Sequence, residues 1–110
     1  MYIIVIPWLF KKRFIGMAIY PFILLKNKYD KINSQLINHE KIHLYQQREL
    51  FVIPFYILYS TEYIYRIFQY KFNAHLAYIN ISFEREAYQN QSNLDYLKTR
   101  KPFSFKNYYK

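Results

Sequence analysis

The apolar residues of this chain change period twice, and the changes divide it into elements. Tyr2-Ile3-Ile4-Val5-Ile6 is short, largely β-branched and ends at Pro7, and residues 17–25 form a second apolar run after the lone Gly16. Both predict strands. Pro21 cannot donate a ladder hydrogen bond, so the second strand is expected at an edge or with a bend. The polar stretch 26–30 predicts a turn. From about Asn33, the residues Leu36, His39, His43, Gln47 and Leu50 recur at spacings of three and four, predicting a helix over 33–50 capped by Asn33 or Ser34. Pro54 suits a first turn, so a middle helix is expected over 54–70, with Glu62 and Arg66 spaced to pair. Asn73 can cap a third helix over 74–89, on which Leu76, Ile79, Phe83 and Ala87 form one apolar stripe. Residues 90–93 read as a loop, 94–98 as a short helical turn and 99–110 as a basic, aromatic tail. No repeat or linker interrupts this order, so one domain over 1–110 is expected, with a strand region at 1–28. The fold class is mainly α, of the α+β kind: a three-helix core with a short N-terminal β-hairpin or edge strands.

Composition narrows the chemistry. Hydrophobic residues make up 53% of 110 and aromatics 23%, which excludes disorder and implies a packed core. The chain has no Cys, so disulfides, thiolate zinc sites and thiol nucleophiles are excluded, and strong metal ligands must be His or carboxylates. Sixteen Lys and Arg against seven Asp and Glu give +9, a charge that attracts an anionic membrane surface or phosphate. Lys11-Lys12-Arg13 and the tail interleave charge with aromatics but form no nucleic-acid reading motif, so no nucleic-acid partner is expected. The apolar run 1–10 precedes the basic cluster, the reverse of a secretory signal, so no signal peptide is expected. Glu62, Arg66 and Gln69 interrupt the apolar stretch that begins at Phe51, well short of the roughly 20 residues a span needs. A cytoplasmic or peripherally membrane-associated protein follows.

The candidate chemistry lies in His39-Glu40-Lys41-Ile42-His43. On a helix, residues four apart share a face, so both imidazoles can turn to one cation, and Glu40 lies alongside without having to be a ligand. Such a carboxylate is placed to take a proton from an attacking water. Two histidines alone bind zinc weakly, so a third ligand is required, and His75, Glu84 and Glu86 are the nearest candidates. Glu84 and Glu86 lie about 200° apart on a helix, so only one of them can face the metal.

The pattern His-Glu-x-x-His followed by Glu84-Arg85-Glu86-Ala87-Tyr88 resembles the glutamate-type zincin metallopeptidases, in which a later helix carries a ligand glutamate in Glu-x-x-Ala-Asp. Residues 38–47 and 83–88 are also similar to a small group of uncharacterised bacterial proteins of about this length. The zincin resemblance implies Zn2+ held by His39, His43 and Glu84, with Glu86 as the alternative third ligand and Glu40 as general base. Tyr88 stands where the family has aspartate, so the hydrogen bond that fixes a ligand histidine is expected from Tyr88, Asn80 or Glu62. A donor for the developing oxyanion is expected from Tyr88, Tyr45 or His75. In zincins an edge strand beside the site binds extended peptide, and residues 17–25 are the candidate here.

The resulting expectation is a zinc-dependent hydrolase with a polypeptide substrate. The rival readings are a non-catalytic protein stapled by zinc and a basic protein of the membrane surface.

Overall fold

The computed structural model describes residues 2–6, 8 and 16–109. Pro7 and the cluster Lys11-Lys12-Arg13 lie outside the described residues. The molecule is mainly helical with a small sheet, the α+β class that the pattern predicts, and its described residues form five α-helices and one three-stranded sheet.

The sheet is built from β1 (Tyr2–Val5), β2 (Gly16–Ile19) and β3 (Phe22–Leu25) in the order β1-β3-β2. Residues 17–25 are therefore not one strand but the two arms of a tight hairpin folded at Tyr20-Pro21, where proline supplies the bend its chemistry predicts. β3 is central, antiparallel to β2 and parallel to β1, and its residues Ile23 and Leu25 are fully buried. β2 forms an edge.

Helix α1 (Ser34–Glu49) starts where Asn33 accepts the Leu36 backbone N–H, and it packs on the sheet through a cluster of Ala18, Ile23, Leu25 and Leu44. Most of its buried residues are polar: Asn38, His39, Glu40, His43, Gln46 and Gln47. Helix α2 (Ile53–Gln69) carries Pro54 in its first turn and buries only a narrow stripe around Phe55, Glu62 and Arg66.

The predicted third helix is two. Helix α3 (Ala74–Ile79), capped by Asn73, ends at Asn80, and α4 (Ser82–Asn90) begins after Ile81. The break has a physical cause in α2. The buried Glu62 carboxylate accepts the Ser82 backbone N–H at 2.6 Å and its hydroxyl at 2.6 Å, making Ser82 a helix start. A second apolar cluster joins Phe55 of α2, Ile81 and Phe83 to Phe105. The tail is thus part of the core. Helix α5 (Tyr96–Thr99) is followed by Arg100, whose guanidinium meets Glu49 and Glu86, and a 3-10 turn over Ser104–Tyr108 packs Phe105 on Phe83 with ring centroids 4.5 Å apart.

Candidate metal centre

α1 sets His39 one turn before His43, and their Nε2 atoms lie 3.2 Å apart. Glu84, in the first turn of α4, places Oε1 3.0 Å from the Nε2 of His43 and 3.3 Å from that of His39. All three residues are buried. An ion with four ligands at about 2.0–2.1 Å separates any two of them by about 3.3–3.4 Å, so the triangle has close to the dimensions of one face of a zinc tetrahedron.

The outer nitrogens decide what the inner ones offer. The Gln46 amide nitrogen donates to the Phe83 carbonyl at 3.1 Å and to Glu86 at 2.9 Å, so its oxygen must face His43 Nδ1, at 2.8 Å. His43 Nδ1 therefore carries the hydrogen and Nε2 keeps its lone pair. Gln91 Oε1 takes the same place at His39 Nδ1, at 2.9 Å. Two imidazole lone pairs and a carboxylate oxygen converge on one point, and such a convergence calls for a cation. In the metal-free protein a proton answers it. Burial works against charging His43, but the charge and hydrogen bond of Glu84 outweigh it and push the imidazole up to about 9. Burial alone would raise Glu84; the charge and hydrogen bond of His43 instead hold it well below the usual carboxylate range.

Glu84 is braced from outside. Its Oε2 accepts the Tyr59 hydroxyl at 2.7 Å, and burial together with the Glu84 charge raises that phenol far above its ordinary value, so it stays a donor.

Glu40 differs from every other buried acid in the site. It is only 6% exposed, yet no donor among the described residues hydrogen-bonds its carboxylate. Desolvation raises it above the ordinary carboxylate value, against the pull of His43 and His39. It faces a cavity of about 340 Å³ shared with His43 and Glu84 and walled by β2, by Phe55, Tyr56 and Tyr59 of α2, and by Tyr78. Gly16 explains how β2 comes so close. A Cβ there would lie 3.3 Å from Glu40 Oε2 and 3.2 Å from a Leu36 methyl, tighter than side chains usually pack.

The exposed edge beside the cavity is β2 alone, shorter than residues 17–25. Its far end is closed: the Gln47 side chain donates to the Ala18 carbonyl at 2.8 Å and accepts the Tyr20 N–H at 2.6 Å, pairing as a strand would. The Gly16 end of that edge lies at Glu40.

The other candidate residues are distributed as follows. Glu86 is no third ligand. It is fully buried on the far side of α4, where Arg100, the Tyr96 hydroxyl and Gln46 satisfy it. Asn80 binds the Arg85 guanidinium and Glu62 caps α4, so neither holds a histidine. Tyr45 lies under the Arg48 guanidinium, two residues past His43 and so on another side of α1. His75 is exposed in the first turn of α3, outside the His-His-Glu group. Tyr88 alone stays near: its ring meets His39 edge-on with centroids 4.5 Å apart, and its hydroxyl accepts from Tyr78.

Sequence reasoning missed Gln46, Gln91, Tyr59 and Tyr78. Gln46 had a signal, since position i+3 lies on the face next to His43; Gln91 and Tyr59 had none, because tertiary folding alone brings them in. No family model, curated protein or solved structure matches the chain.

Proposed function

We propose that this chain is a zinc-dependent hydrolase of the glutamate-zincin kind, acting on polypeptide. The observation that carries the reading is the triangle of His39, His43 and Glu84, with the Glu40 carboxylate, which no described residue hydrogen-bonds, beside it in one cavity. Zinc bound there would supply Lewis acidity and bring the pKa of water toward neutrality. The chain's own residues supply the rest. Glu40, made more basic by burial, takes the proton of the attacking water and returns it to the leaving amine. Tyr88, whose hydroxyl is raised by burial and hence stays protonated while it accepts from Tyr78, is the candidate donor for the developing oxyanion. The Gly16 end of β2 offers backbone groups to an extended substrate.

Metal analysis of the purified protein beside His39→Ala tests the site. One zinc per wild-type chain and its loss in the variant are expected, and equal metal in both would end the proposal. Glu40→Gln tests the chemistry. It should keep zinc and fold while hydrolysis of an unstructured polypeptide falls by about 10²–10⁴-fold. A zinc-loaded wild type that hydrolyses no polypeptide would make the metal a structural staple instead.

A further inference from the structure

The side of α2 turned away from the core carries a second feature, independent of the metal. At 100° per residue, Ile53, Ile57, Ile64, Phe68, Tyr65 and Leu58 spread over an arc of about 140° opposite the buried stripe. Their exposure is high: 71% for Ile53, 61% for Ile57, 57% for Ile64 and 65% for Phe68. Single exposed apolar residues are ordinary, but a continuous arc along a 17-residue helix marks a contact surface.

Apart from the exposed Tyr65 hydroxyl, which suits a polar headgroup boundary, little on this arc needs water. The only two charged residues of α2, Glu62 and Arg66, turn inward and pair at 3.3 Å. Thr61 lies within the arc, and its hydroxyl donates back to the Ile57 carbonyl at 2.8 Å. The arc is closed at each end by an exposed aromatic and an exposed cation: Arg48 and Phe51 before the helix, Lys71 and Phe72 after it. Phe51 and Phe72 hold φ of 61° and 66°, the left-handed region that disfavours side chains, so the turns present these rings at a conformational cost.

Charge selects the occupant. Of the seven acidic residues, Glu40, Glu62, Glu84 and Glu86 are buried and Glu49 is held by Arg100, which leaves Asp30 and the Lys98-paired Asp95 as the outer acids of a chain whose net charge is +9. The outer surface is therefore cationic almost without opposition. A second copy brought to this arc would carry the same charge and be repelled, whereas an anionic lipid surface would be attracted. No described helix is long and apolar enough to cross a membrane, and α2 is about 25 Å long, so it would lie along the surface.

We propose that the outer arc of α2 docks the protein on anionic phospholipid surfaces, its apolar side chains entering the acyl boundary and the cations at its two ends meeting headgroups. The inward side of the same helix supplies Phe55 and Tyr59 to the site cavity, so docking would seat one wall of the site at the membrane.

Flotation of the full chain with vesicles of phosphatidylcholine containing roughly 30% phosphatidylglycerol, beside pure phosphatidylcholine, tests this. Wild type should float with the anionic vesicles and far less with the neutral ones. Ile64→Glu/Phe68→Glu should weaken binding by about tenfold or more, and Ile57→Glu should act in the same direction. Both variants change exposed side chains, and unchanged circular dichroism and melting temperature check that they fold. Absence of wild-type flotation, or equal flotation of the variants, would overturn the proposal. So would a concentration-dependent dimer, seen by light scattering, that Ile64→Glu abolishes, since the arc would then belong to a second copy.

Discussion

His43 is where protonation and the proposed metal binding would compete. Its folded value of about 9 exceeds the ordinary 6.5, so its partnership with Glu84 stabilises the metal-free fold fully below pH 6.5 and ceases to do so as pH rises through 9. Glu84 has the opposite sign: its pKa is depressed, so its contribution is present above 4.5 and is lost in acid. Zinc at the proposed site would have to displace the His43 proton. Binding at pH 7 should therefore release about one proton, and the apparent affinity should rise about tenfold per pH unit up to pH 9. Calorimetry in two buffers of different ionisation enthalpy reads the proton directly; a heat independent of buffer would contradict it. Gln46 acts on the same atom from the other side. Gln46→Leu removes the acceptor that keeps Nδ1 protonated and leaves part of Glu86 unmet, so zinc affinity should fall by about 10–100-fold. An unchanged dissociation constant would remove Gln46 from the site.

At the scale of elements, the position of Glu84 depends on where α4 begins. Periodicity alone extends one helix across residues 74–89, because Leu76, Ile79, Phe83 and Ala87 keep a helical spacing through the break. Glu62, twenty residues earlier, terminates that pattern by capping Ser82. The ion pair Glu62–Arg66 was legible from its i,i+4 spacing, but its role as a cap was not. Glu62→Ala would leave α4 uncapped and Arg66 buried without its carboxylate, a loss of about 3–5 kcal/mol. A fall in melting temperature together with weaker zinc binding is expected. If stability fell while zinc affinity held, α4 would be positioned by something else.

Across the whole molecule, the site joins two apolar clusters. His39 and His43 ride on the helix packed against the sheet, and Glu84 belongs with Phe55, Phe83 and Phe105. A cation shared by α1 and α4 would therefore tie the two halves of the core. Zinc at about a hundred times its dissociation constant should add about 2.7 kcal/mol, a rise in melting temperature on the order of 10 °C that EDTA reverses. A melting temperature indifferent to zinc and chelator would show that no such tie forms.

The chain by itself determined the features set by neighbours along it. The helical spacing of His39 and His43, the caps Asn33 and Asn73, the bend at Pro21 and the mainly helical class are local consequences of backbone geometry and side-chain period. The zincin resemblance favoured Glu84 over Glu86, but local pattern could not, because both are buried glutamates on one helix and which of them turns toward His39 and His43 depends on how α4 is rotated against α1. Tertiary structure alone made Gln91 and Tyr59 partners of the site, folded residues 17–25 into a hairpin and drew the tail into the core. The α1 helix shows why. Its inward face is mostly polar, so hydrophobic pattern could place the helix but could not say which of its hydrogen-bonding groups would find one another across the fold.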